Sequence, residues 1–347
     1  MLTHKLITVL TAVVGVTFGG WLLAEGPPAE PASPPRPMTL PKSPNQILAF
    51  QALHLTLIDP DGKTPPRVRE GLDRTLGSLN QRLSPDGTKV AAHVTVSSPE
   101  GGERKLAILS LIGNEPPQFL DLGWHDFAWS PDGSELASSS FVPDPGQKWH
   151  TTHALFNIKT GEKKPLPFPP NHVLQDWSRD GRYFLTTEFD LSEARPATMR
   201  LVPTRLVLLN RDGTEYTSIL GASKDVCFGR LSPDGKQVLY TTQTRPTTDS
   251  PGAGKEELAV VDIATKVSTL VADVPLNGRR FRICWSPDGK RIAYSWMPKF
   301  EGKPEDAAGQ EFESVLVTCD PDGKNVKTIA TGKGPLQGIT LDLVDWR

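Results

Sequence analysis

The sequence predicts an all-β fold, a six-bladed β-propeller built from four-stranded blades. Three observations support this prediction: a strand-and-turn unit recurs along the chain, a second turn unit lies between its copies, and the chain ends on a strand with no turn after it. A repeat of about 50 residues punctuated by tight turns is typical of β-sheets arranged radially around an axis.

The first repeat is a hydrophobic strand that ends in Trp or Leu and runs into Ser-Pro-Asp-Gly. Its copies lie at residues 82–87, 128–133, 176–181, 230–235 and 284–289, and a sixth copy stops at 344–347. In this turn Pro presets φ, Asp tolerates the bridge conformation and Gly takes a positive φ. The third copy has Arg179 in place of Pro, which a type I turn accepts.

A second turn motif lies about midway between these copies. It is clear at 57–62, 208–213 and 317–323 and weaker at 109–113, 156–161 and 260–265. Each repeat therefore contains four strands, A to D, with tight turns from A to B and from C to D. Four-stranded sheets repeated around an axis form a propeller.

The two ends of the chain indicate how the ring closes. After residue 44 the chain opens on a B strand at 46–50, and it ends on a lone A strand at 341–346. Pairing these two segments completes the first blade and removes exposed strand edges. We predict six blades, with the C-terminal strand paired to the N-terminal blade; the alternative is an open array of five repeats with unpaired ends.

The Ser-Pro-Asp-Gly and Asp-Pro-Asp-Gly turns resemble the TolB-like repeat of bacterial envelope proteins, also called the WD40-like or PD40 repeat. The resemblance covers residues 44–347 and is specific for fold and weak for function. WD40 repeats proper carry Gly-His and Trp-Asp pairs that this sequence lacks. The α/β domain of TolB itself has no room in residues 1–44, and the G-x-S-x-G elbow of the related S9 peptidases is absent.

The amino-acid composition limits the classes of partner and cofactor that the chain is expected to bind. The chain has 347 residues and a net charge of −2, so we predict no nucleic-acid partner. Its three cysteines, Cys227, Cys284 and Cys319, form no C-x-x-C motif, and we predict buried free thiols. A Cys284–Cys319 bridge is the alternative. No cofactor is indicated.

The N-terminus has the pattern of a targeting segment. Residues 1–24 form a predicted hydrophobic helix, uncharged from Leu6 to Ala24, that is either an inner-membrane anchor or a cleaved signal peptide. His4 and Lys5 precede it, which places the propeller on the periplasmic side, tethered or secreted. Residues 25–44 contain eight prolines and form a predicted extended linker, so the propeller domain spans 45–347.

Loop lengths select one face of the propeller, here called the top face. The long polar connections are all from B to C, at 97–104, 142–149, 189–202, 245–257 and 297–311. Loops above a dozen residues in a compact domain are usually functional or disordered. Residues at the start of the A strands line the channel mouth on that face. The candidate binding residues are Trp124, His125, Asp126, His172, Asp225, Arg280, Arg282 and Asp342. Solvated loop charges are the alternative for any one of them.

A second set of residues lies two positions before each turn serine. It comprises Arg82, Ala128, Asp176, Arg230, Cys284 and Asp345. We predict ion pairs between blades here, deeper in the channel, with ligand binding as the alternative. The tryptophans at 129, 177, 285 and 346 recur at one repeat position, which indicates core packing.

Two sequence patterns resemble metal-binding motifs but fit a strand and a turn better. His150 and His153 would point to opposite faces of a strand, and the Asp-Pro-Asp-Gly turns lack the later ligands of a calcium loop. We therefore predict no metal site and no catalytic residues.

These features favour a monomeric, non-enzymatic propeller, membrane-tethered or exported, that binds a protein or peptide partner through its top face and channel mouth. The alternative is an envelope hydrolase or lyase acting on a carbohydrate or ester, with His125 and His172 as acid/base groups or metal ligands. Fold alone does not separate the two.

Overall fold

The computed structural model describes residues 45–51, 54–63, 67–69, 76–98, 101–112, 115–120, 126–143, 149–191, 202–221, 226–244, 255–275, 282–296, 311–335 and 341–346. The predicted anchor and linker at 1–44 lie outside the described residues.

The described residues form 24 strands. In chain order these are β1 Ile47–Gln51, β2 His54–Ile58, β3 Arg67–Arg69, β4 Leu76–Leu83, β5 Lys89–Ser98, β6 Gly101–Ser110, β7 Gln118–Leu120, β8 Phe127–Trp129, β9 Glu135–Pro143, β10 Trp149–Asn157, β11 Lys163–Pro165, β12 His172–Trp177, β13 Tyr183–Asp190, β14 Val202–Asn210, β15 Glu215–Leu220, β16 Val226–Leu231, β17 Gln237–Thr244, β18 Lys255–Asp262, β19 Ser268–Pro275, β20 Arg282–Trp285, β21 Ile292–Trp296, β22 Glu311–Cys319, β23 Lys327–Pro335 and β24 Asp342–Trp346.

The strands form six antiparallel sheets of four. Blade I has the order β24-β1-β2-β3, and blades II to VI take the remaining strands four at a time, from β4–β7 to β20–β23. The innermost A strands are β24, β4, β8, β12, β16 and β20, and each contacts the A strands of the blades on either side. The predicted six-bladed propeller is confirmed.

Ring closure also follows the prediction. β24 pairs antiparallel with β1, with Ile47 opposite Trp346 and Leu48 opposite Asp345. The last strand of the chain thus supplies the A strand of the first blade.

The recurrent turn is a closed hydrogen-bond network, as blade III shows. The Ser130 hydroxyl donates to Asp132 Oδ1 over 2.6 Å and accepts from the Glu135 amide over 2.9 Å, while the Gly133 amide donates to the Ser130 carbonyl over 2.9 Å. The same three bonds recur in the turns that begin at Ser84, Ser178, Ser232 and Ser286. Each serine is buried, so its partners must lie within the turn. This network explains why the motif repeats.

The hydrophobic core is divided among the interfaces between blades. Six clusters of buried side chains are described, and each combines residues of two neighbouring blades. The recurring tryptophans Trp129, Trp177, Trp285 and Trp346 belong to these clusters, which confirms their predicted packing role.

One predicted loop is wrong. Residues 97–104 lie mostly in strands, because β5 and β6 pair without interruption up to Ser98 opposite Gly101. The backbone pairing of β5 with β6 extends through these polar residues, because strand pairing depends on main-chain groups that polar residues also carry. The central parts of the other four predicted loops lie outside the described residues.

Gly213 provides a test of packing between a turn and its neighbouring segment. Its φ is +82°, and a Cβ there would lie 1.9 Å from the Pro167 carbonyl oxygen. Gly235 has a similar φ of +70° but no atom within 4 Å of the corresponding position. We expect Gly235→Ala to cost about 1–2 kcal/mol through backbone strain, and Gly213→Ala to cost about 1–3 kcal/mol more through the clash. Urea unfolding measures both; equal losses would contradict this packing.

Acid should destabilise the ring through the turn aspartates. Hydrogen bonds from the preceding serines lower the pKa of Asp132, Asp234 and Asp288. A lowered folded-state pKa stabilises the fold above the unfolded value near 4, and this stability is lost as the pH falls through the folded value. We expect the thermal midpoint to fall between pH 5 and pH 3.

The triple variant Asp132→Asn, Asp234→Asn, Asp288→Asn is the control. It should start from a lower midpoint at pH 5 and lose less on acidification. An undiminished loss in this variant would show that other groups cause the acid sensitivity.

Candidate functional site

The six A strands surround an axial cavity of about 140 Å³. Its lining includes one equivalent residue from each blade, which in blades II to VI lies two positions before the turn serine. In order from blade I to blade VI these residues are Asp345, Arg82, Ala128, Asp176, Arg230 and Cys284. The structure therefore brings together the set that the repeat singled out. Around the ring the pattern is Asp, Arg and a small residue, repeated twice.

The two arginines meet at one carbonyl. Arg82 Nη2 of blade II donates to the Gln175 carbonyl over 2.6 Å, and Arg230 Nη1 of blade V donates to the same oxygen over 3.1 Å. Gln175 is the extra residue of a β-bulge, since the pairing of β12 with β13 skips from Leu174 to Asp176. A bulge leaves its extra residue unpaired in the ladder. The irregularity in blade IV thus supplies the acceptor that holds both guanidinium groups.

Asp176 is held by main-chain amides. Its carboxylate accepts from the Trp177 amide over 3.0 Å and from the Leu231 amide of blade V over 2.9 Å. In blade I, Asp345 Oδ1 likewise accepts from the Trp346 amide over 2.9 Å. In place of the ion pairs predicted between blades, Asp176, Arg82 and Arg230 form hydrogen bonds with the backbone.

The channel charges nevertheless act on one another. Burial lowers the pKa of both Arg82 and Arg230, while Asp176, Asp126 and Asp345 raise them. Arg82 lowers the pKa of Arg230 further. The channel thus brings two arginine side chains close together, and acidic residues on other blades partly balance their positive charge.

The structure places four of the predicted mouth residues at the start of A strands. Asp126 immediately precedes β8, His172 and Arg282 begin β12 and β20, and Asp342 begins β24, where the backbone alone is described. Asp126 raises and Arg282 lowers the pKa of Arg82, so both lie within electrostatic reach of the channel. The remaining candidates, Trp124, His125, Asp225 and Arg280, lie outside the described residues.

His172 is a buried imidazole rather than a solvated loop group. It is 4% exposed, and its Nδ1 lies 2.9 Å from Thr186 Oγ1. Burial lowers its pKa, which nearby Glu188 raises in part. Glu188 itself accepts hydrogen bonds from Asn171 and Arg205. These contacts fix the position of a buried imidazole at the top of blade IV.

Two polar features were missed at the sequence level. His153 is buried, with Nδ1 2.9 Å from Ser139 Oγ and Nε2 3.2 Å from the Pro169 carbonyl oxygen. Arg179 donates through Nη1 to the Pro287 carbonyl of blade VI over 3.3 Å, on the bottom face where the A–B turns lie. The substitution of Pro by Arg in one turn out of five was the available signal for Arg179.

The cysteine prediction is confirmed where the structure tests it. Cys284 and Cys319 are buried free thiols, which is contrary to the alternative bridge, and burial raises the pKa of Cys319 to about 12. The side chain of Cys227 lies outside the described residues. Within the described segments, three or more His, Cys, Asp or Glu residues are nowhere grouped as for a metal ion, and no helix there is long and apolar enough to cross a membrane.

No family model matches the chain, and no curated protein matches it. Among solved structures, TolB from Acinetobacter baumannii is 17% identical with a TM-score of 0.56, covering 87% of this chain and 66% of that one. Putative TolB from Agrobacterium tumefaciens is 18% identical with a TM-score of 0.57, covering 86% of this chain and 98% of that one. The chain thus spans just under two thirds of the Acinetobacter protein. The predicted TolB-like propeller is confirmed at the level of fold.

The buried His153 should make stability depend on pH. Burial lowers its pKa to about 4, whereas an unfolded histidine titrates near 6.5. Between these values the unfolded chain binds more protons, so stability falls as the pH falls. From pH 7 to pH 5 we expect a loss of about 2 kcal/mol from this residue. Urea unfolding across that range measures the loss, and His153→Asn should reduce it. An equal slope in that variant would show that His153 is not the cause.

Proposed function

We propose that this chain is a non-enzymatic binding protein of the bacterial envelope, and that its channel mouth and top face take a segment of a protein or peptide partner. The observation that carries the proposal is the arrangement of charge along the channel. Asp345, Arg82, Asp176 and Arg230 occupy the same repeat position of their blades and line one cavity, and Asp126 and Arg282 act electrostatically on Arg82. Each of the six blades contributes one of these charges.

Such a channel suits a polypeptide segment. The three acidic and three basic residues balance, so a partner is selected by the positions of its own charges rather than by its net charge. Hydrogen bonds to the backbone already hold Arg82, Asp176 and Arg230. A partner would therefore bind side chains that are already ordered, so little further conformational entropy would be lost on binding.

The proposed location and assembly follow from the sequence. Residues 1–24 would tether or export the chain, residues 25–44 would space it from the inner membrane, and the propeller would occupy the periplasm. The resemblance to TolB-like repeats of envelope proteins supports this placement. A monomer is proposed because the chain pairs its own terminal strand with its first blade.

Photo-crosslinking in the native envelope tests the binding proposal. A photoreactive phenylalanine analogue replaces Asp126 or Arg282, and the controls carry it at Phe119 or Leu270, which are exposed on outer strands. We expect the two channel positions to give one shared protein adduct that the outer positions lack. Adducts that are the same at all four positions would contradict a channel site.

The second candidate, an envelope hydrolase or lyase, is favoured by one observation. The buried His172 has a lowered pKa beside Glu188, so a neutral imidazole at the mouth could accept a proton. Loss of turnover of a carbohydrate or ester substrate in His172→Gln, with the crosslinked adduct retained, would support this candidate. If the parent chain turns over no such substrate and His172→Gln loses the crosslinked adduct, the result would support the binding protein.

A further inference from the structure

The axial cavity that Arg82, Asp176 and Arg230 line extends to the bottom end of the channel. The cavity of about 140 Å³ is bounded by the turn prolines Pro85, Pro131, Pro233 and Pro287 and by the indoles of Trp129, Trp177, Trp285 and Trp346. All these residues belong to the A–B turn motif, which lies at the opposite end of the A strands from Asp126, His172 and Arg282. A ligand bound here would enter from the bottom face, although it would use Arg82 and Arg230, which the channel proposed for the partner also presents.

Arg82 and Arg230 offer unused donors in this cavity. Each guanidinium has five N–H groups in a planar fork. Arg82 donates through Nη2 alone, to the Gln175 carbonyl, and Arg230 donates through Nη1 alone, to the carbonyls of Gln175 and Gly229. Within the described part of the chain, their remaining N–H groups have no protein acceptor.

The neighbouring carboxylate of Asp176 does not use up these donors. Both of its oxygens accept main-chain amides, from Trp177 and from Leu231. Asp176 and Asp345, which both line the cavity, lower its net charge, and Asp176 does so without occupying the arginine forks. The site is therefore rich in donors but only weakly cationic, which suits a single carboxylate better than a dianionic phosphate.

Arg179 adds a third guanidinium at the rim. The other four turns have Pro at its position, and here the longer side chain reaches from blade IV to the Pro287 carbonyl of blade VI. Arg179 thus places positive charge at the opening that leads to Arg82 and Arg230.

We propose that the bottom mouth is a carboxylate-binding pocket that takes an acidic group of a polypeptide, either a chain-terminal carboxylate or a glutamate side chain. Arg82 and Arg230 bind the carboxylate through their free N–H groups, and Arg179 closes over it from the rim. The cavity has room for one such group with its stem between the indole rings.

The tryptophans provide the readout. The intact chain is titrated with N-acetylglycine, which presents a terminal carboxylate, and with N-acetylglutamate α-amide, which presents a side-chain carboxylate. N-acetylglycinamide and N-acetylglutamine α-amide are the matched neutral probes. We expect a saturable change in tryptophan fluorescence with at least one acid and none with either amide, and the tighter acid identifies the source of the carboxylate. Equal responses to an acid and its amide would overturn the proposal.

Two variants locate the site. Arg230→Gln should raise the half-saturating concentration by about tenfold or more, the effect of losing a charge-assisted hydrogen bond. Arg179→Pro restores the residue of the other turns, so it should leave the thermal midpoint unchanged while weakening binding about threefold, as expected for an exposed charge. If Arg230→Gln lowers the thermal midpoint, Arg179→Pro still gives a decisive result. A variant is informative when its thermal midpoint equals that of the parent chain. If such a variant binds N-acetylglycine and N-acetylglutamate α-amide as tightly as the parent does, the proposal is overturned.

Discussion

The pairing of β24 with β1 is the constraint on which the rest of this structure depends. It joins segments at opposite ends of the chain, and the Trp346 indole fastens the join by donating to Asn45 Oδ1 over 2.8 Å. Arg291 of blade VI lies 4.9 Å from the centre of the Trp346 ring and forms an ion pair with Asp61 of blade I at 2.9 Å. The closing strand also carries Asp345 into the channel. The channel is therefore complete only once the ring has closed.

The closed ring has an internal twofold pattern that organises the channel chemistry. Blades I and IV carry Asp-Trp before the turn, blades II and V carry Arg-Leu, and blades III and VI carry a small residue followed by Trp. The contacts follow the pattern. Trp129 of blade III donates to the Arg82 carbonyl over 3.1 Å, and Trp285 of blade VI donates to the Arg230 carbonyl over 3.1 Å. Each arginine thus has its backbone anchored by the next blade, while its side chain is held in the channel by the Gln175 carbonyl.

Sequence reasoning predicted the parts of the fold that depend on local chemistry. The turns could be predicted because Ser130 and Asp132 satisfy their hydrogen bonds within six residues, and closure could be predicted because an incomplete blade remained at each end. The hydrogen-bond partners of the channel arginines could not be predicted from the sequence. They depend on a bulge at Gln175 that has no sequence signature, and on contacts between residues 93 and 55 positions apart. The burial of His153 against Phe168 was likewise invisible, because it depends on how the D–A connection folds back.

Hydrogen exchange at β1 tests the central claim most directly. Amide protection of residues 47–51 is compared between the full chain and a chain that ends at residue 340, with β13 of blade IV as the internal reference. Closure by β24 predicts that β1 is protected in the full chain to about the level of β13, and that truncation lowers the protection of β1 much more than that of β13. Equal protection of β1 in the two chains would contradict the closed ring, and with it the channel that Asp345 completes.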